Sequence, residues 1–182
     1  MLRILLLCAG ALAVPATASA RDWQVDPAAS TLGFKGSYQG DPFAGRFKSF
    51  TAQIAYDEAD LGSAHFDVKV DLSSADTASS ERDDTLKGSD FFAVAKFPQA
   101  HFVTDSFARA ADGTVTAQGR LTIRDQTRPV TLKLRFAADG AQATLDVDTV
   151  LKRADFGLGA GSDWNDISAD IPVHGHLKLG AR

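Results

Sequence analysis

Cysteine is nearly absent. The chain of 182 residues has one, Cys8. A single thiol closes no disulfide within the chain, and Cys8 lies in a segment expected to be removed. The remainder would then hold no thiol nucleophile and no thiolate metal ligand. Long apolar runs are also missing: the longest, Ile4–Val14, is too short to span a bilayer as a helix, which takes about 18–20 residues. Basic residues are outnumbered, 19 Lys and Arg against 23 Asp and Glu. That balance speaks against a nucleic-acid binder and against a polybasic membrane-surface protein. Catalytic signatures are missing as well. There is no Gly-x-Ser-x-Gly, no His-Glu-x-x-His, and no glycine loop that opens a helix to cradle phosphate.

What is present starts with an export signal. Arg3 supplies the positive start, Ile4–Val14 the apolar stretch, and Ala18-Ser19-Ala20 a small-x-small cleavage site. Residues 1–20 are therefore expected to be a secretory signal cleaved after Ala20, leaving residues 21–182 as one exported domain. A lipid anchor at Cys8 is rejected, because Leu7 is bulky at the cut position and almost no apolar core precedes it. Loss of Arg3 brings the net charge to about −5. Without disulfides, the exported domain depends on its own packing.

Apolar residues then recur with period two. Ala64, Phe66, Val68, Val70 and Leu72 alternate with His65, Asp67, Lys69 and Asp71. The same pattern marks strands at Thr31–Ser37, Phe43–Tyr56, Ala100–Phe107, Val115–Ile123, Val130–Phe136, Ala143–Val147 and Ile167–Leu179. A phase shift between Phe47 and Phe50 predicts a bulge or bend. Ala111-Asp112-Gly113 and Asp139-Gly140 read as hairpin turns. One stretch breaks the alternation. Ser80–Lys87 reads as a two-turn helix stopped at Gly88, which would use its tolerance of the left-handed conformation. Phe91 and Phe92 follow it, placed to plug or cap a sheet. No crossover helix recurs, so the eight strands are expected to be antiparallel, in a closed up-and-down barrel or a sandwich. An eight-stranded barrel has an interior that side chains fill or that holds one small ligand.

Candidate chemistry is sparse. Gly157–Gly161 reads as a flexible loop. His174 and His176 share one face of the last strand, opposite Val173, Gly175 and Leu177, and are expected to face solvent rather than bind a metal. Asp83 with Asp84 reads as a pair of helix-start acids, and Asp146 with Asp148 as the polar face of a strand. Arg120, Arg124 and Arg128 cluster around one hairpin, either as a solvated outer face or as a cationic rim for an anionic head group.

Several blocks together resemble the YceI-like family of lipid- and polyisoprenoid-binding proteins. They are Trp23-x-x-Asp26 with Ser30 and Phe34, Gly45-x-Phe47-x-x-Phe50, Arg82-Asp83-x-x-Leu86 with Asp90-Phe91-Phe92, and Phe97-Pro98 with Phe102. Gly119-x-Leu121-Thr122-Ile123-Arg124 with Thr127 and Val130, and Arg153-x-Asp155-Phe156-Gly157, extend the resemblance across residues 21–182. Ala29 and Asp125 depart from it, standing where the family often has His and usually has Gly. The resemblance implies an all-β, eight-stranded, lipocalin-like barrel in the periplasm, with an apolar tunnel for a long isoprenoid or fatty chain. Combined with strand phase, it places Phe34, Phe47, Phe66, Val68, Phe91, Phe92, Phe102, Leu121, Leu132, Leu145 and Ile171 on the tunnel wall. The expected function is carriage of a polyisoprenoid, such as a prenyl diphosphate or an isoprenoid quinone, with no cofactor and no catalytic residues. The alternatives are a module docking on a membrane-bound redox or lipid-processing protein, and an enzyme acting on an isoprenoid.

Overall fold

The alternating segments become strands that curl into a closed barrel. A computed structural model describes residues 20–182, so the expected signal segment lies outside the described residues, Ala20 apart. The strands are β1 (Asp22–Val25), β2 (Thr31–Tyr38), β3 (Asp41–Phe47), β4 (Phe50–Ala55), β5 (His65–Asp71), β6 (Ala75–Asp76), β7 (Gln99–Arg109), β8 (Val115–Ile123), β9 (Gln126–Asp139), β10 (Gln142–Lys152) and β11 (Asp170–Ala181). One helix, α1 (Ser80–Lys87), interrupts them.

These eleven segments fill eight positions around the barrel, and every pairing between them is antiparallel. β1 and β2 lie on the same edge of β11, with Trp23 opposite Ala181 and Phe34 opposite Val173. Between them the chain bulges. The Ser30 hydroxyl accepts from the Lys178 N–H at 3.0 Å and fills the break in the ladder. β3 and β4 likewise form one position, split at Lys48 and Ser49, where the phase shift predicted a bend. β6 continues β5 beyond a 3₁₀ turn at Leu72–Ser74. Because β1 pairs with both β4 and β11, no free edge runs the full height of the sheet.

Inward side chains form two clusters at opposite ends. One holds Trp23, Tyr56, Phe66, Leu145 and Leu177, with Phe107 and Phe136 packed against it. Its rings meet edge-on or tilted, Tyr56 and Phe136 at 4.8 Å and Phe66 and Phe107 at 5.0 Å, and they make a solid floor. The other holds Leu72, Phe91, Phe92, Phe156 and Leu158.

The helix falls where the sequence places it, with one difference, at Gly88. Its cap is Ser79, whose hydroxyl accepts from Arg82 N–H. Asp83 lies in the first turn, as expected of a helix-start acid, and accepts from the N–H and hydroxyl of Thr77, at 2.8 and 2.7 Å. Gly88 has φ −67° and uses no left-handed conformation. Its missing side chain eases a close approach, since a Cβ there would lie 3.1 Å from the Thr85 carbonyl.

Candidate functional site

Between floor and cap the barrel is hollow, with a cavity of about 590 Å³. The hollowness follows from how the large rings lie. Phe102 points inward from β7, but its ring leans over Gly119 on the neighbouring strand: a Cβ on Gly119 would sit 2.6 Å from Phe102 Cζ. Gly45 leaves room for the Phe34 ring in the same way, and Gly36 for Phe43. Aromatics laid against the wall leave the axis open. Other inward apolar side chains, including Leu121, Val130, Leu132, Val147 and Val173, are only half-buried, because they border the cavity.

All eleven residues assigned to the tunnel wall border this cavity. Phe66 and Leu145 belong to its packed floor, and Phe91 and Phe92 to its cap. Unforeseen wall positions such as Leu32, Val147, Leu151 and Val173 carry the same period-two signal. Glu81, Arg82 and Thr85 of α1 border the cavity at the cap end and had no such signal. There the Arg82 guanidinium lies 4.6 Å above the Phe43 ring.

The cap is held by two arginines. Arg124 donates to the Phe91 and Gly157 carbonyls, both at 3.2 Å. Arg153 donates to five carbonyls: Leu158, Gly159, Trp164, Ile167 and Ser168. Gly157–Gly161, expected to be a flexible loop, is thus clasped from beneath. Gly159 N–H donates to the Asp90 carbonyl at 2.6 Å. Trp164 closes the loop, its indole donating to Asp90 at 3.1 Å and its ring meeting Phe91 edge-on at 5.0 Å.

The proposed arginine rim does not assemble. Arg120 points outward from β8 and pairs with Asp105 at 2.9 Å. Arg124 is occupied by the cap. Arg128 makes no ion pair among the described residues and is not tied to the cap, donating only to the Thr127 carbonyl and the Gln126 side chain. On the outer face, His174 lies 2.8 Å from Asp148 and His176 2.6 Å from Asp146. The hydrogen bond from His174, with Arg135 nearby, holds the Asp148 carboxyl below the usual range.

A profile of the YceI-like domain matches residues 23–179. The chain belongs to the YceI-like family. A UPF0312 protein of Vibrio vulnificus (strain YJ016) is 30% identical over 176 residues, covering 92% of this chain and 93% of that one. A UPF0312 protein of Shewanella denitrificans is 29% identical, covering 93% and 94%. Among solved structures, Burkholderia cenocepacia BcnA superposes with a TM-score of 0.80 at 29% identity, covering 85% of this chain and 99% of BcnA. A polyisoprenoid binding domain from Saccharophagus degradans has the same fold, with a TM-score of 0.68 at 19% identity over 88% of this chain and 98% of that one.

Proposed function

We propose that this YceI-like protein is a periplasmic carrier that holds a long-chain isoprenoid, a prenyl diphosphate or an isoprenoid quinone, in its barrel. The observation that carries the reading is the apolar cavity of about 590 Å³, bounded by half-buried aliphatic side chains and wall-lying rings. Its size falls within the ~300–1,000 Å³ of small-ligand sites. The polyisoprenoid binding domain of Saccharophagus degradans supports the ligand class through its shared fold. The export signal read at residues 1–20 supports the location. The charged residues bordering the cavity, Glu81, Arg82, Asp148 and Arg153, lie near its cap and wall openings rather than paired on its floor, an arrangement suited to binding.

The test is mass spectrometry of an organic extract from protein purified without detergent. One dominant long-chain isoprenoid, near stoichiometric with protein, is expected. Protein that is empty and also fails to take up prenyl quinones would overturn the reading.

A further inference from the structure

The barrel wall contains a slot. The β9–β10 ladder ends at Lys133 opposite Asp148, although β9 reaches back to Gln126 and β10 runs on to Lys152. From there each strand keeps only its other neighbour, β8 for β9 and β11 for β10. At the point of divergence the Thr149 hydroxyl donates to the Thr131 carbonyl at 3.0 Å, in place of a backbone bond. Pro129, which has no N–H to donate, stands on the exposed edge of β9. The slot is bounded above by the 3₁₀ turn Arg153–Phe156, which packs beside β9.

A second hollow, of about 950 Å³, lies over this slot on the outside of the barrel. Phe34, Val130, Leu151, Phe156 and Val173 border both it and the inner cavity, so at the slot only side chains, not a backbone ladder, separate the two. The outer hollow is bordered by Lys35, Arg128, Lys133 and Lys152. None of these four makes an ion pair among the described residues. The acids bordering it are Asp148 and Asp155, and Asp148 is already engaged by His174 and by Arg135, at 2.8 and 3.0 Å. The α1 end offers a different balance. There Glu81 accompanies Arg82, whose guanidinium covers Phe43.

We infer that the slot is the head-group site: an amphiphile lays its chain in the inner cavity and its anionic head among Arg128, Lys133 and Lys152. Cations in excess over the one unengaged acid, Asp155, beside an apolar slot select a multiply charged head, so the class is a prenyl phosphate or diphosphate rather than a neutral quinone. This rests on the carrier reading and narrows its ligand.

The test uses delipidated protein and two probes with the same chain, geranylgeranyl diphosphate and geranylgeraniol. Wild type should bind the diphosphate about tenfold or more tightly, as charge-assisted hydrogen bonds add to chain burial. That preference should shrink at high ionic strength, where exposed charges are screened. The variant Arg128→Gln/Lys133→Gln/Lys152→Gln should lose most of it, while its affinity for the alcohol reports chain binding separately. Equal binding of the two probes by wild type, or an undiminished preference in the variant, overturns the slot assignment and leaves the carrier reading standing. Wild type that binds neither probe overturns both.

Discussion

Tyr56 is the polar exception in an apolar floor. Its ring is 1% exposed and its hydroxyl has no partner among the described residues. Burial, with the Glu58 carboxylate adding to it, pushes its pKa from the ordinary 10.0 to about 12. The folded state therefore keeps a proton that the unfolded chain releases near pH 10, and stability contributed by Tyr56 declines from pH 10 toward 12. Tyr56→Phe should leave stability at neutral pH unchanged or raise it by up to ~1 kcal/mol, because an unsatisfied hydroxyl is removed. In urea unfolding at pH 8 and pH 11, wild type should lose more stability across the interval than the variant. Equal losses would mean the hydroxyl is solvated. Gly119 shows the opposite constraint, since any side chain there meets the Val103 carbonyl and the Phe102 ring. Gly119→Ala should cost ~1–3 kcal/mol or more through overpacking, even though Ala suits a strand better than Gly. Chemical unfolding that shows no loss would mean the wall yields at this point.

At the scale of elements, the cap depends on one side chain more than on its helix. α1 has no fully buried residue, whereas Arg153 ties five carbonyls of the loop that follows β10. Arg153→Ala should destabilise by about 2–4 kcal/mol, since several carbonyls lose a charged donor together. Arg153→Lys should recover little of this, because an ammonium cannot match the planar fork. Full recovery by lysine in thermal or urea unfolding would reduce the arginine to a simple charge. The sequence shows an arginine just before a glycine-rich stretch and suggests mobility. It does not show that the arginine turns inward under its own loop. The three hairpin arginines mislead for a related reason. Arg120, Arg124 and Arg128 are equivalent on paper. Strand phase sends Arg120 outward to Asp105, φ +58° at Arg124 turns that residue toward the cap, and only Arg128 stays at the wall opening. The strands themselves were far more legible. Period two gives the correct inward face for β5, β8 and β9, because a residue's parity decides its side of a sheet. Pro129 carried a signal of the wall opening too, since proline inside a strand marks an unpaired edge.

For the whole molecule, direction was readable and emptiness was not. Parity says that Phe34 and Phe102 point inward. Whether their rings meet at the axis depends on Gly45 and Gly119 across the ladder, which sequence spacing does not pair. The cavity predicts a graded mutational response. Phe102, 8% exposed and pressed on the wall, should behave as packed core, with Phe102→Ala costing ~3–5 kcal/mol in the delipidated protein. Leu132 faces the open space and is half-buried. Leu132→Ala should cost less, ~1–2 kcal/mol, because fewer neighbours lose contact. Urea unfolding of both variants measures the difference, and equal losses would mean that the interior closes up when empty.

The packed floor of Tyr56, Phe66, Phe107 and Phe136 makes the interior a blind alley. A guest enters and leaves on the same side of that floor, so its inner end is the last part to come free. The depth from floor to wall opening then acts as a ruler. Chains that fit are swallowed whole, and longer ones leave their surplus protruding as a handle. Under the proposed carrier role an acceptor would have to grip that handle, so delivery would be a matter of withdrawal rather than of passage through the barrel.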